Sequence, residues 1–99
     1  MQPLTEAQRR HLRRLGHDLH PVVRTGNAGL TEAVIAELER ALRDHELVKI
    51  KLIAEDRAQR QAFIDRIIEA SGATLVQRVG HIALLYRRNS DKREPIALP

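Results

Sequence analysis

Ninety-nine residues suffice for one domain able to bury roughly 60–70% of its unfolded surface without a staple. The absence of cysteine excludes disulfides and thiolate chemistry and suits a reducing cytoplasm, and no apolar run approaches the length of a membrane span. Seventeen Lys and Arg against thirteen Asp and Glu give a formal charge of +4 that favours a polyanionic partner, while one Phe and one Tyr are too few for a base-stacking platform.

The chain opens without the apolar stretch and small-residue cleavage site of a secretory signal. Residues 5–15, with Leu4 just before them, have Leu4, Leu12 and Leu15 as anchors and Arg9, Arg10, Arg13 and Arg14 around them, a basic amphipathic helix capped by Thr5 and ended near Gly16. Its arginines read equally as a solvated face or as a face that tracks phosphates. His11, His17 and His20 are separated by the breakers Gly16 and Pro21, and no metal site is expected from them.

Residues 21–25 form a short apolar, β-branched run that reads as a strand, and Arg24 sits near its end. Gly26, Asn27, Ala28 and Gly29 follow, and then a helix over 30–45 whose apolar positions include Leu30, Val34, Ile35, Leu38 and Leu42, with Thr31 as N-cap. A strand, two spaced glycines and a helix start can present backbone N–H groups to a phosphate, although the spacing alone is that of any tight turn.

Residues 46–53 alternate, placing Val48, Ile50 and Leu52 on a core face and Leu47, Lys49, Lys51 and Ile53 on the other, which is read as basic. Asp56 and Gln59 have capping-box spacing and begin a helix with Phe63, Ile64, Ile67 and Ile68 as its buried stripe and Gly72 after its end. Caps and exposed helix positions account for Glu55, Asp56, Asp65 and Glu69 better than paired catalytic carboxylates do. Runs at 73–79 and 82–87 flank Gly80-His81 as an antiparallel hairpin. Residues 89–99 are polar and proline-bearing, a flexible tail on which Ile96 and Leu98 can still dock.

The order α-β-α-β-α-β-β predicts an α+β fold in which two layers are formed by a four-stranded mixed sheet and the helices packed on it. Residues 1–88 make the domain and 89–99 the tail.

The runs PVVRTGNAGLTEAV, HELVKIKL and LVQRVGHIALLYR resemble the CRM domain family (chloroplast RNA splicing and ribosome maturation), in particular its single-domain, YhbY-like bacterial members. The resemblance spans nearly the whole chain. It implies a fold like the C-terminal domain of the third bacterial translation initiation factor, with the fourth strand antiparallel between the second and third. It also implies RNA binding and association with the precursor of the large ribosomal subunit, without enzymatic activity; a monomer without cofactor, small-molecule substrate or membrane contact is expected. The family's loop carries over onto Gly26, Asn27, Ala28 and Gly29. Many relatives place a Lys or Arg between the two glycines where this chain has Asn27 and Ala28, so positive charge must come from neighbours such as Arg24. The expected RNA surface therefore comprises Arg24, Gly26, Asn27, Ala28, Gly29 and Thr31, with Lys49 and Lys51 and, from the first helix, Arg9, Arg10 and Arg13. A protein-interaction adaptor meeting an acidic ribosomal or assembly protein is the alternative. A nuclease ranks last for want of a nucleophile and an acid–base pair.

Overall fold

A computed structural model describes residues 3–99. Helix α1 (Glu6–Gly16) begins with a reciprocal box in which the Thr5 hydroxyl accepts from the Gln8 amide and the Gln8 side chain accepts from the Thr5 amide. Strand β1 (Pro21–Arg24) leads through the glycine loop to α2 (Glu32–His45), capped by Thr31, and then to β2 (Leu47–Lys51). Helix α3 (Arg57–Ser71) is capped by Asp56 and stopped by Gly72, which takes the left-handed conformation at φ +72°. Strands β3 (Thr74–Val79) and β4 (Ile82–Tyr86) close the fold as a hairpin.

The sheet order is β1-β2-β4-β3. β1 runs parallel to β2 with Val23 opposite Ile50 and Arg24 opposite Lys51, whereas β4 is antiparallel to both its neighbours. The α+β class, the element order and the inserted fourth strand agree with the expectation.

The number of layers does not. Val23, Val48, Ile50, Leu52, Ala83 and Leu85 point from one sheet face into a core shared with Leu38 and Leu42 of α2 and Ile64 and Ile67 of α3. Leu47, Val76, Leu84 and Tyr86 point from the other face and bury Leu12 of α1. Helices thus cover both faces, giving three layers, because β4 is apolar on both sides and β2 adds Leu47 to the side beneath α1. The face of β2 read as basic is accordingly split: Leu47 is buried beneath α1, and only Lys49 and Lys51 are left half-buried beyond it. Helix α1 lies close to the sheet at Gly16, where an added Cβ would stand 2.6 Å from a Leu84 methyl.

Residues after β4 form no helix or strand, but Ile96 and Leu98 pack against the second core. Glu46, at the end of α2, is fully buried, and its carboxylate accepts from the Asn89 amide at 2.8 Å and the Ile96 amide at 2.7 Å. A buried carboxylate held by two N–H donors is a stable arrangement, since charge-assisted bonds replace its lost hydration.

Candidate functional site

The glycine loop leaves the sheet from a fixed point. Thr25 is buried; its amide donates to the Lys51 carbonyl at 3.0 Å and its hydroxyl accepts from the Ile53 amide at 2.8 Å. The chain then turns, with the Gly29 amide donating to the Gly26 carbonyl at 3.0 Å and the Thr31 amide to the Gly29 carbonyl at 3.1 Å. Gly26, Asn27 and Ala28 are exposed. Among the described residues, the Asn27 and Ala28 amides meet no protein acceptor.

The two glycines have different reasons for being there. Gly29 lies at φ +76°, so the backbone favours glycine, and a Cβ there would come into contact with the Phe63 ring at 3.4 Å. Gly26 has no positive φ, and nothing stands within 4 Å of a Cβ built on it. The fold therefore does not require glycine at position 26, while the approach of an outside group to the backbone would.

Charge surrounds this turn unevenly. Arg24 is exposed, and with Lys51, Pro21, Val22 and Val23 it lines a shallow cavity of about 260 Å³ at the sheet edge. Lys49 is nearby but its ammonium donates to the Leu19 carbonyl at 3.0 Å, which ties down the link between α1 and β1. The Thr31 hydroxyl is engaged as a cap, accepting from the Val34 amide at 3.2 Å. Arg66, not singled out from the sequence, reaches from α3 to the Leu30 carbonyl at 2.6 Å and to Glu32 at 3.2 Å, clamping the entry to α2.

The first-helix arginines are not part of this cluster. Arg9 donates to the Leu75 and Val76 carbonyls of β3 at 2.8 and 3.3 Å, on the far edge of the sheet from β1, and Arg13 pairs with Glu6 at 3.4 Å. Arg10 is exposed. The structure thus brings together Arg24, Lys51 and the loop, with Lys49 and Thr31 beside them in folding roles, while Arg9 is directed to β3 at the other edge of the sheet, Arg13 is paired with Glu6 and Arg10 is exposed. Among the described residues no three metal-ligating side chains cluster.

The profile of the CRS1 / YhbY (CRM) domain matches residues 4–87. The chain belongs to the CRM domain family. The matched span runs from the residue before the α1 cap to the residue after β4, so this CRM domain is the whole three-layer unit described above. It is 48% identical over 86 residues to a probable RNA-binding protein, PA4753, of Pseudomonas aeruginosa, covering 87% of this chain and 83% of the relative. It is 43% identical over 99 residues to an RNA-binding protein of Haemophilus influenzae, covering 100% of this chain and 98% of that one. The solution structure of the hypothetical protein SAV1595 from Staphylococcus aureus, a putative RNA binding protein, superposes with a TM-score of 0.81 at 30% identity, covering 98% of this CRM domain and 100% of that chain.

Proposed function

We propose that this CRM domain binds ribosomal RNA through its sugar–phosphate backbone, accompanies the precursor of the large ribosomal subunit in the cytoplasm, and assists assembly as a monomer without catalysing a reaction. The observation that carries the reading is Gly26: an exposed glycine that the fold does not need, close to Arg24 and beside two amides without acceptors among the described residues. Such a turn accepts a phosphate oxygen, because a Cβ at position 26 would stand in its path and the amide dipoles and the guanidinium favour an anion. Relatives named as RNA-binding proteins support the same partner. The ribosomal precursor is the RNA that the family resemblance suggests.

Affinity for a fragment of large-subunit ribosomal RNA tests the reading. Gly26→Val should weaken binding while the melting temperature stays that of the parent. A folded Gly26→Val protein with parental affinity would make the loop only a turn.

A further inference from the structure

A second group of cations lies outside the loop. Arg57 and Arg60 are on the first turn of α3 and Arg78 is near the end of β3; with Ala58 and Gln61 they line a shallow cavity of about 380 Å³. Arg60 and Arg78 both donate to the Gly80 carbonyl, at 3.0 and 2.8 Å. Among the described residues, the ion pairs are Arg13–Glu6, Arg66–Glu32 and Arg87–Glu39, so none of these three arginines has a carboxylate partner. Asp56, the nearest acid in sequence together with exposed Glu55, is occupied as the α3 cap by the Gln59 amide at 2.8 Å.

One donor is enough to hold a turn carbonyl. Bringing a second guanidinium onto it, with a third alongside, adds like-charge repulsion that stapling the turn does not need and that a bound anion would relieve. Arg57 is exposed and its side chain makes no hydrogen bond among the described residues, so it is free to meet such an anion.

The position of the cluster says which anion. Ile82 is paired with Lys51 and the His81 carbonyl accepts from the Leu52 amide at 2.7 Å, so the β3–β4 turn stands where β2 ends, the same end of the sheet from which the 26–29 loop leaves. Helix α3 bridges the two: Phe63 lies against Gly29, and Arg60, one turn earlier, reaches Gly80. From β1 to β3 is three strand spacings, or about 14 Å. Tyr86 is buried and Phe63 half-buried, so neither offers an open ring face to a base, and the exposed ring of the β3–β4 turn is the imidazole of His81.

We propose that Arg57, Arg60 and Arg78 form a second phosphate-contact site, so that the RNA-binding surface crosses the whole end of the sheet and takes a folded RNA offering two rows of phosphates. The inference rests on the RNA reading above and names the shape of RNA it requires: a helical stem, recognised by its backbone.

The test measures binding of the full chain to an RNA stem-loop at several salt concentrations for Arg57→Glu, Arg78→Gln and Gly26→Val, with the melting temperature of each. Arg57→Glu should weaken binding and flatten the log–log salt dependence by about 0.9, one phosphate contact, with unchanged melting. Arg78→Gln should do the same if it remains folded, and Arg57→Glu decides the matter if it does not. Parental affinity and slope for Arg57→Glu would overturn the second site; if Gly26→Val is weakened in that same series, the loop reading stands alone. Weakening by Arg57→Glu with parental binding by Gly26→Val would instead retain the arginine site and remove the loop.

Discussion

Gly26 and Gly29 look alike in the sequence and differ in what they do. Gly29→Val meets both a left-handed backbone and the Phe63 ring, and should lower stability by roughly 1–3 kcal/mol as well as weaken RNA binding. Gly26→Val should lose binding alone. Paired thermal melts and affinities separate the two, and equal melting temperatures would mean that position 29 tolerates a side chain after all. Arg24→Ala removes a charge that bonds nothing else in the described chain. It should leave melting unchanged and reduce the salt slope by about 0.7 on a single strand. The G-x-x-G spacing was visible from the sequence, but this division of labour was not, because φ and the neighbour behind each glycine are tertiary facts. Arg66 was hidden for the same reason: its role depends on α3 crossing the start of α2.

At the scale of elements, apolar periodicity made the helices, the strands and their caps legible, since Thr5, Thr31 and Asp56 act locally. What periodicity could not give was the side of the sheet on which α1 packs. Leu47 shares its face of β2 with Lys49 and Lys51, and its burial follows from α1 crossing from β3 toward β2. That crossing also separates Arg9 and Arg13 from the loop. The strand phase is nonetheless testable on β2. Ile50 is fully buried, so Ile50→Asp places an unpaired charge in the main core at a cost of several kcal/mol and should unfold the domain. Lys49→Ala loses one ammonium–carbonyl bond, worth about 1.5–3 kcal/mol at most and less at a half-exposed site, and should remain folded. Circular dichroism melts of equal midpoint would refute the assigned faces. The alternation of residues 46–53 begins at Glu46, yet Glu46 ends α2 at φ +64° and holds the chain beyond β4 by two amides. No local pattern announces a partner 43 and 50 residues away.

For the whole molecule, the two cores meet different chemical limits. Tyr86 sits in the second core, and burial first, then the Glu46 carboxylate, raise its phenol above the ordinary value, with Arg88 acting the other way. The fold therefore prefers the neutral phenol. Its contribution is complete below the unfolded value near 10 and is lost as pH rises from there through the higher folded value, because the unfolded chain gives up its proton first. Melting temperature should consequently fall above about pH 10, and Tyr86→Phe should lessen that fall while the neutral-pH midpoint changes little. An identical alkaline decline in the variant would assign the loss to other groups. Salt addresses the opposite surface. A formal charge of +4, with exposed Arg24 and Arg57 unpaired among the described residues, means that the proposed RNA binding would draw mainly on displaced counterions, whereas the cores are apolar and indifferent to moderate salt. Raising salt from about 50 to 200 mM should thus release the protein from ribosomal precursors in a sucrose gradient without moving its melting temperature. Retention on the precursors at high salt, with nuclease treatment leaving it bound, would show that a protein surface holds it and that the basic end of the sheet is not the site.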